Sequence, residues 1–520
     1  MVQLVAIAAP RTGVSPARRP LVPLAAVLGA CAVLISTLGS WIPSLWGDEA
    51  ASLLSAERPL PSLFMMLRNV DAVHGFYYVL LHFWIRVAGT SPFALRLPSA
   101  LAVGVAVAAV VWICGRLHSV RFAIVAGAIA AVLPRLTDVG EEARPYAFDA
   151  ALCAILVAIV VELVLLHASR WLWIAYGAVL AVATYMFLYD VLMVVAIGWF
   201  LLARPTTRAH LRPWAIATAC AIVVSSPVMV FALLERAQVS YLAHRSVVTP
   251  DAVFVQMWFW TVPVAVVAWA LIALAIVPAA GRALRRRAQA GTPSGPAAAT
   301  RTVGGPADSA MNDILLLATC WLVLPVGILL AVSPLIADYT ARYGAFAAPA
   351  AAILMAAGIL QLTKLRWAPT IAATALAVTL VPVWVQQRGP YAMNGSDWNE
   401  IAATISTHSR PGDGIVFDDG AHPSKRTRLA MDTDPSAFTN VKDVTLKTPY
   451  PLDKSWHDSA YAVEAAGDLG RFHGIERVWV VEYSIGAHTD QWGVPALEAM
   501  GFHESASYQN HRSVAYLFTR

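Results

Sequence analysis

The chain has 520 residues, of which 58% are hydrophobic and only 13% charged. Soluble domains carry about 25% charged residues, so this composition excludes a water-faced globular protein and predicts a polytopic α-helical membrane protein. The net charge of +5 comes from short basic clusters between apolar runs, which set orientation in a bilayer, and no nucleic-acid partner is expected.

Read in chain order, apolar runs fall at 21–42, 95–115, 121–135, 146–167, 171–188, 190–204, 212–233, 253–279, 312–333, 344–363 and 367–386. That makes about eleven transmembrane helices in residues 1–389, each span needing about 20 residues. The first run reads either as a signal peptide or as a span; with no clean small-x-small cleavage site after it, an uncleaved span is expected. Threading these spans collects Arg11, Arg18 and Arg19, Arg116 and Arg121, Arg170, Arg204, Arg208 and Arg212, Arg282 to Arg287, and Lys364 and Arg366 on one side. That side is expected to be cytoplasmic. Residues 43–94 form a first external loop with amphipathic helices. Its stretch HGFYYVLLHFWIRVAG (74–89) is too short between polar groups to span. Residues 281–310, rich in Arg, Gly, Pro and Ala, read as a flexible cytoplasmic loop.

Residues 390–520 change character and predict a soluble extracytoplasmic α/β domain. Asp397 and Glu400 resemble a capping box for a helix to about His408. GIVFDD, RVWVVEYS and SVAYLFTR read as strands; SAYAVEAAGDLGRFHG and VPALEAMG read as helices. FDDG (417–420) reads as a strand-end turn. The cysteines, Cys31, Cys114, Cys153, Cys220 and Cys320, all sit in apolar runs and are expected to be small buried hydrophobes.

The opposite, outer side gathers the costly polar residues: Asp48 and Glu49; Asp71 and His74; Arg135, Asp138, Glu141, Glu142 and Arg144; Asp190; Glu235, Arg236, His244 and Arg245; Asp338, Arg342 and Tyr343. A carboxylate at the end of the first span suits a general base that takes a proton from an attacking hydroxyl. The guanidiniums of Arg144 and Arg342 suit a departing phosphate. Plainer readings stand beside these. Asp48 can cap the helix that follows it, Arg144 and Arg342 can be interfacial snorkelling residues, and His74 and His82 can be packed amphipathic residues.

LWGDEA, HGFYYVLLHFWIRVAGTSPFALRLPSALAVG, EEARPYAFDAAL and DYTARYGAFAAPAAAIL, in this order, resemble the GT-C class of membrane glycosyltransferases. Within it they are similar to bacterial relatives of protein O-mannosyltransferases and of the lipid A aminoarabinose transferase, and to mannosyltransferase-like membrane proteins of actinobacteria. Tyr77, Tyr78, Gly89, Ser91, Arg96, Leu97, Pro98 and Ser99 match the second motif; Gly75 and Phe76 stand where that class usually has prolines. The resemblance implies a polyprenyl-phosphate-linked sugar donor, an extracytoplasmic active site and inversion at the anomeric carbon. It assigns Asp48 as the base and Glu49 as its support, places Arg144, Arg342 and Tyr343 at the donor phosphate, and brings His74, Tyr77, Tyr78 and Tyr146 to the substrate. Some relatives hold a divalent metal near the acidic loops; no ligand set for one stands out here. The implied activity is transfer of a sugar, mannose first, to a cell-envelope glycolipid, lipoglycan or polysaccharide at the outer face of the plasma membrane. Alternatives are another lipid-linked sugar such as arabinose, a lipid-linked-sugar transporter or flippase, and a silent binding protein on the same fold.

Overall fold

The structure, a computed structural model, describes residues 21–235, 248–290, 306–336, 340–363, 365–484 and 492–520. Arg11, Arg18, Arg19, Arg236, His244, Arg245, Asp338 and Lys364 lie outside the described residues, as do the side chains of Arg285, Arg286 and Arg287. Among the described residues, seven helices are long and apolar enough to cross a membrane, at Pro92–Leu117, Tyr146–Leu165, Pro205–Leu234, Val262–Arg282, Ser309–Ser333, Ala341–Leu362 and Ala368–Gln387. Four shorter apolar helices, Leu21–Thr37, Val120–Val132, Leu172–Met186 and Leu188–Ala203, fall on the remaining expected runs. The chain is a multi-pass membrane protein.

Small residues let the first spans approach closely. Helix α1 (Leu21–Thr37) crosses the Pro92–Leu117 helix where a Cβ on Gly29 would meet the Gly104 carbonyl oxygen at 2.8 Å. Between these two spans lie α2 (Gly47–Glu57), α3 (Leu60–Met66) and α4 (Gly75–Ala88). Gly89 ends α4 at φ +82°, a conformation glycine adopts without strain. Ser91 then caps the next span, α5 (Pro92–Leu117), by accepting from the Ala94 N–H at 3.3 Å.

The C-terminal part holds a five-stranded sheet in the order β2-β1-β5-β7-β6: β1 Asp413–Phe417, β2 Val441–Asp443, β5 Arg477–Tyr483, β6 His503–Gln509 and β7 Ser513–Thr519. Strands β3 (Leu446–Thr448) and β4 (Ser459–Ala460) pair separately. Parallel pairing of β1 with β2 and β5 buries the Val-rich centre of β5, which explains its continuous apolar run. One apolar cluster joins this sheet to the 43–94 segment: Leu53, Leu54, Tyr77 and Leu81 pack in the same core as Trp398, Ile401, Phe417 and Trp479. The two parts therefore share an interior at the end of the spans that carries Asp48.

Several expectations are corrected. The helix from Val262 runs on to Ala290 and another starts at Pro306, so both ends of the expected 281–310 loop are helical; 291–305 lie outside the described residues. Only Val463–Asp468 is helical within 459–474, because Gly470 and Gly474 take positive φ (+70° and +74°) and break the run, and residues 459–460 pair as β4. Strand β6 was hidden by its polar, exposed alternation at the sheet edge. The Asp397–Glu400 capping box does not form. Asp397 instead accepts from the Arg512 N–H and Ser513 Oγ, and Glu400 from Tyr391 and the His511 N–H. Cys114, Cys153 and Cys320 are buried, whereas Cys31 and Cys220 lie on the exposed sides of their helices.

Candidate active site

Asp48 stands in the first turn of α2, after Trp46 and Gly47, and makes no capping bond. Its carboxylate instead pairs with the guanidinium of Arg342. The other arm of Arg342 reaches Glu142 Oε1 at 3.1 Å. The Arg342 guanidinium also lies over the rings of Trp46, at 4.9 Å, and Tyr146, at 5.4 Å. Asp48 and Arg342 keep about a quarter of their side-chain surface open (23% and 24%), so the pair faces a reachable space.

Arg144 forms the second arm of the site. It donates to the Asp48 carbonyl oxygen and Ser52 Oγ at 3.3 Å, and to Tyr78 OH at 3.5 Å. Its other nitrogen lies 3.1 Å from His74 Nε2. A guanidinium only donates, so His74 must carry its proton on Nδ1. Burial, reinforced by Arg144, holds His74 neutral, well below the usual imidazole range. Tyr78 in turn donates to Asp71 at 3.0 Å.

The carboxyls are not equivalent. Burial pushes Asp48 up, but the guanidiniums of Arg342 and Arg144 outweigh it and hold Asp48 below the usual carboxylate range. Burial pushes Glu142 up to about 8, with Asp138 and Asp48 adding to what Arg342 opposes. Asp71 is also raised by burial, against the pull of Arg144.

The expected residues thus divide into three groups. Asp48, Arg144, Arg342, His74 and Tyr78 come together. Tyr146 and Tyr343 form an aromatic wall, their ring centroids 5.9 Å apart, continued by Phe187 and Tyr189. Glu49 and Tyr77 stand behind the site, fully buried. Glu49 is held by Arg96 through bonds of 2.7 and 2.5 Å and accepts from the Ala143 N–H at 2.9 Å. Tyr77 packs edge-on against Phe148. His82 is buried with Nδ1 2.7 Å from the Ala56 carbonyl oxygen, a packing role. Trp46, Ser52 and the sharing of Arg342 by Glu142 were not legible in the sequence, where Glu142 was one acidic residue among many.

Among the described residues no group of three or more His, Cys, Asp or Glu is arranged to hold a metal ion. The nearest carboxylates, Asp48 and Glu142, are bonded to Arg342, so the residues present do not fit a metal and no step is derived through one.

A loop of the C-terminal part packs against the start of α2 beside the site. Gly47 lies so close to Ser424 that an added Cβ would overlap that residue's backbone carbonyl. Replacing Gly47 with Ala is expected to cost about 1–3 kcal/mol by forcing the start of α2 and this loop apart. The measurement is a thermal unfolding scan of the detergent-purified protein; an unchanged midpoint would show that the loop moves freely.

Residues 76–231 match the family model described as dolichyl-phosphate-mannose-protein mannosyltransferase. No curated protein matches the chain. In fold the chain is similar to ArnT from Cupriavidus metallidurans in the apo state, at a TM-score of 0.53 and 12% identity, covering 96% of this chain and 98% of that one. The same protein bound to undecaprenyl phosphate aligns at 0.50, with 12% identity over 96% of this chain and 98% of that one. The chain therefore shares the fold of ArnT, and within it residues 76–231 are similar to the mannosyltransferase family of that model.

Proposed function

We propose that the chain is an inverting glycosyltransferase that moves a sugar, mannose first among candidates, from a polyprenyl-phosphate carrier to a cell-envelope glycan or glycolipid at the outer face of the plasma membrane. The observation that carries this is the ion pair of Asp48 with Arg342, flanked by Glu142 and Arg144, at one end of the spans. The undecaprenyl phosphate named for ArnT supports the carrier class; the family model's description supports mannose. The arginine clusters on the opposite side support the outer placement.

The chemistry follows from the pair. An incoming lipid phosphate competes with Asp48 for Arg342 and is met also by Arg144. Asp48 then loses its cation partner and becomes a stronger base. It accepts the proton of the acceptor hydroxyl as that oxygen attacks the anomeric carbon. The bond from that carbon to the phosphate oxygen breaks on the opposite face, and polyprenyl phosphate leaves with its charge on the arginines. The aromatic wall of Tyr146, Phe187, Tyr189 and Tyr343 borders Arg342 where the carrier's first isoprene units would lie.

The test is transfer in proteoliposomes given labelled polyprenyl-phosphomannose or polyprenyl-phosphoarabinose and an envelope lipoglycan. Mannose transfer is expected; arabinose transfer alone would correct the sugar, and no transfer from either would overturn the reading. A pH prediction goes with it. Glu142 is protonated in the folded protein up to about pH 8. Above that it adds a second negative charge beside Asp48 and repels the donor phosphate. The KM for donor is expected to rise as pH passes about 8, and Glu142→Gln to flatten that rise.

A further inference from the structure

Arg342 stands in a 3-10 helix, Ala341–Ala347. Such helices are short and their hydrogen bonds poorly aligned, so a side chain on one is held in place only with outside support. Here two buried indoles supply it. Trp258 Nε1 donates to the Gly344 carbonyl oxygen at 3.1 Å, and Trp321 Nε1 to the Phe346 carbonyl oxygen at 2.9 Å. Gly344 also lies so close to the Met257 side chain that an added Cβ would displace it. The backbone just after Arg342 is therefore gripped by residues 257 and 258.

Trp258 is itself fixed. Buried Arg135 donates through its side chain to the Met257 carbonyl oxygen at 2.7 Å and the Gln256 carbonyl oxygen at 2.5 Å. Its backbone N–H donates to the Trp258 carbonyl oxygen at 3.2 Å, and its remaining arm pairs with Asp138 at 2.5 Å. A neighbouring indole offers a contrast. Trp269 packs against the rings of Trp258 and Phe259, at 5.8 and 5.5 Å, but its single N–H is spent on the Phe254 carbonyl oxygen at 2.7 Å. Arg342 is shared between Asp48 and Glu142, so a small shift of its backbone loosens its hold on both and on any phosphate it binds.

We propose that Trp258 is a positioning residue that acts through Gly344 to aim Arg342 at the phosphate of the lipid carrier, which rests on the carrier reading of Arg342 given above. Trp258→Phe keeps an aromatic ring and removes the N–H; Trp269→Phe makes the same change beside it. The first readout is binding of farnesyl phosphate to the detergent-purified full chain by titration calorimetry, which needs no transfer. Trp258→Phe is expected to weaken binding about tenfold, the scale of a small misplacement of a clamp, and Trp269→Phe to leave it unchanged. The second is the pH profile of kcat/KM in proteoliposomes. Burial raises Asp48, and Arg342 leads the charges that pull it down, ahead of Arg144 and His422; Glu142, Asp71 and Tyr146 also face it. Asp48 must be ionised to take a proton, so a retreating Arg342 moves the acid limb to higher pH in Trp258→Phe, and the limb stays in place in Trp269→Phe. If Trp258→Phe does not fold, Trp321→Phe, which frees the Phe346 carbonyl of the same 3-10 helix, replaces it with the same expectations. Binding as tight as in the unmutated chain, or equal weakening by Trp269→Phe, overturns the positioning role. Indole-dependent binding in a chain that transfers no sugar leaves the role standing and overturns the transferase reading. An unmutated chain that binds no farnesyl phosphate overturns both.

Discussion

Asp48→Asn is expected to lower kcat for sugar transfer by about 10²–10⁴, the usual contribution of a positioned general base, without raising the KM for donor. The amide keeps the shape of the side chain and can still accept from Arg342, so the geometry around α2 survives. What disappears is the charge that takes the proton. The donor loses no contact, because its phosphate binds the arginines and no longer competes with a carboxylate for Arg342. Arg342→Ala is expected to change both constants. The phosphate loses its main cation, so donor KM rises and kcat falls as well, since that charge also stabilises the leaving group. Steady-state kinetics in proteoliposomes separate the two. Asp48→Asn with the unmutated rate would remove Asp48 from the chemistry; a raised donor KM in that variant would place the carboxylate on the donor instead.

The spans were legible because each is an apolar run bounded by charge, and that signal is local. The site was half legible. Charges in a chain this apolar need a reason, so the residues that form it stood out: Asp48, Arg144, Arg342 and His74. Which of them face each other depends on contacts between segments up to 294 residues apart. No pattern in the sequence separates Asp48, turned to the open side of α2, from Glu49, turned inward one residue later. The helix geometry decides it: adjacent residues point about 100° apart on a helix, and only one of them can face Arg96. In the C-terminal part the buried strands β1, β5 and β7 were legible from their apolar runs. The edge strand β6 was not, because its exposed residues read as loop.

That inward turn of Glu49 yields the second large effect. Glu49 and Arg96 have no exposed side-chain surface. Arg96 also donates to the carbonyls of Ser40, at 2.5 Å, and Pro43, at 2.9 Å, while Glu49 receives the Ala143 N–H. One ion pair therefore ties the end of α1, the start of α2, the first turns of α5 and the backbone between Glu142 and Arg144. Removing one partner of a buried pair leaves the other charged and uncompensated, at a cost of about 3–5 kcal/mol. Glu49→Gln is expected to lower the thermal midpoint markedly and, through the loosened Ala143 strap, to reduce kcat while leaving the pH dependence of donor KM in place. Adding Arg96→Met removes the stranded guanidinium, so the double variant should be less destabilised than the two single effects combined. A catalytic Glu49 makes the contrary forecast: a Glu49→Gln protein as stable as the unmutated chain, inactive, and not helped by any change at Arg96. Thermal scans and transfer rates on the four proteins of this cycle decide between a carboxylate that reacts and one that holds the reacting carboxylate in place.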